Sequence, residues 1–394
     1  MQLTIGKVKK SNLNLIVQTV LVVILFLTPH TWESYNKNYW YIGKIIFGAY
    51  LILRLFASSG LRRLYRLEVN LAILYAAVMI YSTVYNQQGN SNILAVVSYA
   101  FTVVGLICWG IRSKYIYGKK FIYAVFCTLS AYTLANAIYM FVQPSGASYS
   151  IQGGQRIYLI GDKFMTAYEL LVWLISATLL FKNSLTMLKK MLLAIMSVYI
   201  LYVELSMGGT TGIVMLVLFW SIVLLTNRKV LSFLMRPAII LGILAVCTVV
   251  LVLYQEKLFS NQFFSNLIVN VLNKDLTMTN RTVIYSKFPE VFIKSPILGT
   301  GYNANGVFEA IHTQNFQNSY LQTLFSYGLV GMISFALLIL IRIRYYITSR
   351  MNAKYWLAGV LVFLIIALVE IPLQEYFVFL LILMPDYEAI KTQD

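Results

Sequence analysis

Twelve stretches of mainly apolar sequence, near residues 13–28, 41–56, 68–85, 91–110, 121–142, 166–182, 191–206, 211–226, 237–254, 321–341, 356–371 and 373–386, are separated by gaps in which Lys and Arg collect. A helix that crosses the hydrocarbon of a bilayer needs roughly 20 mainly apolar residues, fewer where aromatic or snorkelling side chains mark its ends. The stretches therefore predict an all-α, polytopic membrane protein of about twelve spans. A 59% hydrophobic fraction with only 11% charged residues excludes a soluble globular chain, which would leave much of that surface in water. The net charge of +17 would suggest nucleic acid in a soluble protein. Here the charge falls between spans, so it reads as topology, and no nucleic-acid partner is expected.

Of the 31 Lys and Arg residues, 22 occupy every second gap, starting with Lys7, Lys9 and Lys10 before the first stretch and ending with Lys391 after the last. Cytoplasmic loops retain positive charge, so both termini are expected in the cytoplasm. Pro29 and His30 follow the first stretch where a signal peptide would carry a small-residue cleavage site, so a retained helix is expected there. The turns at 207–210 and around Pro372 are the weakest divisions, and the count falls to ten or eleven if either is re-entrant. Cys108, Cys127 and Cys247 lack CxxC spacing and read as buried thiols.

Seven of the nine remaining cations lie in two outer segments, 143–165 and 255–320. The chain reads as one membrane domain, 1–394, with these two segments forming the candidate active site. The longer one, between spans nine and ten, exceeds a passive connector. Within it Ile284, Tyr285, Phe288, Val291 and Phe292 recur at three- and four-residue spacing. That spacing predicts an amphipathic helix over the membrane, capped by Asn280, with Arg281 in its first turn and Pro289 as a kink. Gly299, Gly301 and Gly306 break it, and a second helix is predicted from about Val307 into the tenth span, carrying His312, Gln317, Asn318 and Tyr320.

Arg281, then Lys294-Ser-Pro-Ile-Leu-Gly-Thr-Gly301, Gln317-Asn-Ser-Tyr-Leu-Gln322 and Tyr327-Gly-Leu-Val-Gly331 follow one another with an order and spacing that resemble the bacterial O-antigen ligases and O-antigen or capsular polysaccharide polymerases. Gln155-Arg156 and Gly161-Asp-Lys163 look like the family's other arginine-bearing outer loop. The resemblance implies transfer of a glycan from undecaprenyl pyrophosphate to an acceptor hydroxyl in the bacterial cytoplasmic membrane, with inversion and without metal, cofactor or nucleotide sugar. It also implies membrane lipid and the proteins of a polysaccharide export system as partners. Two positions depart from the pattern. Gln317-Asn318 stands where members commonly have His-Asn, and Glu204-Leu-Ser-Met-Gly-Gly-Thr210 lacks the arginine that members often carry at the outer end of a central span.

A guanidinium holds phosphate oxygens through two parallel hydrogen bonds, which suits Arg281 and Arg156 to a leaving pyrophosphate, with Lys163 in support. The bland alternative is a headgroup contact or a pair with Glu290 or Glu309. A histidine side chain suits proton transfer at neutral pH, which makes His312 the candidate base for the acceptor hydroxyl. Gln317, Asn318 and Tyr320 are expected to orient substrate by hydrogen bonding. Glu204 and Glu169 fall at or inside the outer ends of spans, where a carboxylate needs a partner, and are expected either to line the cavity and balance the arginines or to form helix-stabilising pairs; Asp162 and Glu370 are similar but closer to water. Polymerase is preferred, with a ligase as the alternative inside the class. A flippase of lipid-linked oligosaccharide is the alternative outside it, disfavoured because the span interiors carry almost no ionisable residues.

Overall fold

A computed structural model of the chain describes residues 12–33, 36–146, 148–149, 156–181, 186–254, 281–302, 315–348 and 354–383. Its helices are α1 Asn12–Phe26, α2 His30–Glu33, α3 Lys37–Phe56, α4 Ser59–Leu64, α5 Arg66–Tyr85, α6 Asn90–Tyr117, α7 Lys119–Val142, α8 Lys163–Phe181, α9 Met187–Met207 and α10 Thr210–Leu225. They continue with α11 Arg228–Leu234, α12 Pro237–Leu253, α13 Arg281–Phe292, α14 Ser319–Thr348, α15 Lys354–Ile366 and α16 Glu375–Ile382. The strands among the described residues are β1, Ser148–Tyr149, and β2, Arg156–Ile157, paired antiparallel with Tyr149 opposite Arg156.

A helix lies on each of the twelve apolar stretches, and seven are long and apolar enough to cross a membrane: α3, α5, α6, α7, α8, α9 and α14. α1, α10, α12 and α15 are apolar but shorter. The described part of α16 is eight residues, about 12 Å, and does not cross the hydrocarbon alone.

The interior is built by helices that are apolar all round. α6 and α8 are the most enclosed of the seven, and α16 is buried from Tyr376 to Ile382. Small residues set how closely they pack, as expected where lipid supplies no hydrophobic drive between helices. α3 meets α6 at Gly48 and Gly105, and a β-carbon on Gly48 would stand 2.7 Å from the Phe101 carbonyl oxygen. Gly110 of α6 makes room for Ile382, and Gly359 of α15 for Ile175. The outward faces of α3 and α9 carry Ile46, Leu53, Val198 and Leu205 exposed, the surface a hydrocarbon solvent calls for.

The interiors hold more charge than their hydropathy suggests. Arg342, toward the C-terminal end of α14, pairs at 3.1 Å with Glu68 in the first turn of α5, both buried, with Lys114 of α6 in electrostatic range of the carboxylate. Cys108 is buried, but Cys127 faces outward and Cys247 is half-buried.

Two irregularities shape the end of the bundle that carries the outer segments. At Gly328 α14 leaves helical geometry (φ 61°, ψ −166°), a region open essentially to glycine. There it receives the turn 295–301: Leu329 N–H donates to Pro296 O (2.9 Å), Thr300 N–H to Phe325 O (2.8 Å) and Gly301 N–H to Ser326 O (2.9 Å). The C-terminal end of α5 secures the same turn, through Asn86 to Gly299 O (3.0 Å) and Gln88 to Thr300 O (3.1 Å). The Leu-Gly-Thr-Gly and Tyr-Gly-Leu-Val-Gly motifs are thus two halves of one backbone junction. The second irregularity is the break between α15 and α16, residues 367–374, around Pro372.

Candidate functional site

A broken apolar helix frees backbone carbonyls that must find donors inside the protein. The segment 317–320 supplies them. Asn318 Nδ2 donates to Leu368 O (2.8 Å), Ser319 N–H to Ala367 O (2.9 Å) and Glu370 O (3.0 Å), and the Tyr320 hydroxyl to Leu364 O (2.7 Å). Asn318 Oδ1 meanwhile accepts from the N–H groups of Tyr320 (2.9 Å) and Leu321 (3.1 Å), the bonds of an N-cap. The helix predicted from Val307 through these residues is therefore corrected. The described chain at 315–318 is a turn, Gln317 has φ of +47°, and α14 begins at Ser319 because Asn318 caps it.

α13 lies across this junction. Ile284, Tyr285, Phe288 and Val291 are buried and pack with Phe316, Leu321 and Phe325, which is the amphipathic face read from spacing. Asn280, its expected cap, lies outside the described residues. Arg281 opens the helix and reaches into the turn. Its Nε donates to Gln317 Oε1 (2.9 Å) and its Nη2 forms an ion pair with Glu370 Oε1. The Tyr285 hydroxyl lies 3.3 Å from both Gln317 O and Leu368 O. Burial pushes this phenol up to about 12, so it stays a neutral donor across physiological pH.

Asp162, Lys163 and Glu204 approach the same place. Lys163 and Asp162 are in electrostatic range of Glu370 and of Glu204, and Tyr168 of α8 is in range of Arg281, Glu370, Asp162 and Glu204 together. Asp162 also holds the local fold, since its Oδ1 accepts from Phe164 N–H (2.9 Å) and Met165 N–H (3.0 Å) and so caps α8. Glu204 is fully enclosed, and its carboxylate lies against the backbone N–H of Gly212. Gly209 and Gly212 make that enclosure possible, since a β-carbon on either would lie within 2.2 Å of Glu204 Oε2. The carboxylate thus rests on the first turn of α10, whose free N–H groups favour negative charge.

The remaining expected residues lie elsewhere. Arg156 is exposed on β2, and no described contact brings it to Arg281. His312 lies outside the described residues, as does Glu309. Glu290 pairs with Lys287 at 3.5 Å rather than with Arg281. Glu169 is buried in α8 and accepts from Thr133 (3.1 Å), away from the arginines. Glu370 is the group whose particular partner, Arg281, sequence reasoning did not single out. Its signal was that it is the only charged residue between Tyr355 and Gln374. Among the described residues no cluster of three His, Cys, Asp or Glu side chains is arranged to hold a metal.

Apolar helices and an interfacial cluster of one arginine, one lysine and three carboxylates define a polytopic membrane protein with a polar site at one end of its bundle. Residues 191–336 match the family model of the O-antigen ligases, consistent with the O-antigen ligase and polymerase family. The match contains Glu204, Arg281, Gln317, Asn318 and Tyr320, while Asp162, Lys163 and Glu370 lie outside it. No curated protein matches the chain in sequence.

Proposed function

We propose that the protein is a polysaccharide polymerase, transferring glycan from undecaprenyl pyrophosphate to the hydroxyl of another lipid-linked repeat unit. The reaction takes place on the outer face of the cytoplasmic membrane, with twelve spans and both termini inside. One observation carries the reading: a long apolar groove between α12 and α14 reaches Tyr320, three residues along the chain from Gln317, the partner of Arg281. The groove has a volume of about 480 Å³ and runs along α14 from Tyr320, two residues from Asn318, to Ile343, with Leu364 and Leu373 at its walls. Twenty-four helical residues cover roughly 35 Å, the full hydrocarbon thickness of about 30 Å, which suits a polyprenyl tail better than an acyl chain that fills one leaflet. A guanidinium near the end of such a groove meets the phosphates of a lipid pyrophosphate.

In this mechanism Arg281 binds the pyrophosphate and stabilises the charge it gains as the glycosyl bond breaks. Lys163 adds positive potential, and Gln317 positions Arg281 by accepting from its Nε. Attack on the side opposite the pyrophosphate inverts the anomeric centre. Arg156, Asp162, Glu204, Asn318 and Tyr320 retain their proposed roles in substrate contact, with Asn318 and Asp162 acting on substrate through the turns they cap, and His312 is the base expected from sequence, with Glu370 its competitor for the acceptor proton. A ligase that passes finished glycan to another acceptor is the second reading, favoured by the match to the O-antigen ligases. The size distribution of lipid-linked glycan in cells with and without the protein separates them. Loss of a polymerase leaves single repeat units on lipid, loss of a ligase leaves long chains on lipid, and units trapped on the cytoplasmic face would refute both.

A further inference from the structure

We propose that Glu370 is a displaceable counter-ion of Arg281: the donor pyrophosphate takes its place on the guanidinium, and the released carboxylate accepts the proton of the incoming sugar hydroxyl. The proposal rests on the transferase reading and assigns a residue outside the family match a step in that reaction.

Carboxylate and phosphate oxygens offer a guanidinium the same paired geometry, so the contact that Glu370 makes with Arg281 is one that a phosphate can take over. A pyrophosphate carries more charge than one carboxylate and competes well for it. The backbone at Glu370 is fixed, because its carbonyl accepts from Ser319 N–H (3.0 Å) and the Ser319 hydroxyl (3.2 Å). Only the side chain has to move. The two side chains are 16% and 11% exposed, so the pair is reachable from one side. Arg281 and Tyr285 face the carboxylate from α13, and Lys163, Asp162 and Tyr168 from α8 and the residue before it, with Glu204 in range of Tyr168.

The other two carboxylates are less suited to the proton. Asp162 commits an oxygen to the cap of α8, and Glu204 is sealed against Gly209 and Gly212. Gln317, standing at the sequence position of the expected imidazole, cannot take a proton usefully. In the step itself the acceptor oxygen forms the new bond to the anomeric carbon and its proton passes to Glu370. The bond from that carbon to the phosphate oxygen breaks, and the electron pair leaves with undecaprenyl pyrophosphate. Because the carboxylate is freed only when pyrophosphate occupies Arg281, donor binding precedes acceptor activation.

The test uses the purified full chain and undecaprenyl pyrophosphate without glycan as the binding probe. Glu370→Gln should bind the probe about tenfold tighter, since no anion has to be displaced. Transfer by the same variant should fall on the order of 100-fold or more, and the rise of rate with pH on the acid side should disappear. Glu370→Asp should keep that rise. Unchanged or weaker probe binding by Glu370→Gln overturns the counter-ion role, and wild-type turnover with the pH limb intact overturns the proton-accepting role. If Glu370→Gln does not accumulate, Glu370→Asp carries the test through tighter probe binding, and unchanged binding overturns the proposal. A wild-type protein that transfers nothing removes the transferase reading and the proton-accepting role with it, whereas the counter-ion role is read from binding alone.

Discussion

Replacing Arg281 by Lys keeps the charge and removes the fork. In the structure Nε and Nη2 are engaged by two different residues, Gln317 at 2.9 Å and Glu370, so the guanidinium bridges the turn before α14 and the break after α15. One ammonium cannot reproduce both directions, and one charge-assisted hydrogen bond is lost whether the partner is Glu370 or a phosphate. Such a bond contributes about 1.5–3 kcal/mol. At 1.4 kcal/mol per factor of ten, transfer should fall roughly 10-fold to 150-fold. The measurement is the rate of glycan transfer by purified Arg281→Lys protein with saturating acceptor, beside its thermal unfolding and its level in the membrane. Transfer within threefold of wild type at normal accumulation would refute the phosphate fork and make Arg281 a headgroup anchor, since Lys snorkels as well as Arg.

Asn318→Ala removes an N-cap and the donor to Leu368 O, and should destabilise the protein by about 2–3 kcal/mol, read as a lowered Tm; an unchanged Tm would contradict its place in the junction. Gly328→Ala should prevent accumulation in the membrane, because its β-carbon would stand 2.2 Å from Ile297 O at a backbone geometry alanine avoids. Asp162→Asn should stay close to wild type while Asp162→Ala loses about 1 kcal/mol of stability, and an inactive, stable Asp162→Asn would show that its charge matters more than its cap. Tyr285→Phe should lower stability by an amount independent of pH between 5 and 9. The phenol's folded value lies above its unfolded one near 10, so its contribution is complete below 10 and is lost only as pH rises through about 12. With Cys127 replaced, Lys287→Cys should react with an impermeant maleimide added outside and Lys120→Cys should not, and the reverse pattern would invert the topology.

Apolar run length and the basic gaps located a helix on every stretch, because in lipid the backbone has to close its hydrogen bonds locally. The amphipathic face of α13 was equally legible, since Ile284, Tyr285, Phe288 and Val291 bury themselves at helical spacing. What spacing could not show was the partner of Arg281. Glu370 is 89 residues away, and only the break around Pro372 brings it to the turn at Gln317. The same break explains why Gln317 and Asn318 form a turn and the helix starts only at Ser319: the donors of Asn318 and Ser319 are spent on carbonyls of another element. Glu204 was flagged by its cost in an apolar helix, but the glycines that enclose it could be recognised as its seat only in three dimensions.

The central claim is transfer of glycan between polyprenyl pyrophosphate lipids by this chain. Purified protein in liposomes, given a single lipid-linked repeat unit and no nucleotide sugar, should lengthen the glycan on lipid and release undecaprenyl pyrophosphate in proportion to each bond formed. It should stop doing so when Arg281 is replaced by alanine. Repeat units that stay single, or that cross the bilayer without being joined, would contradict the account.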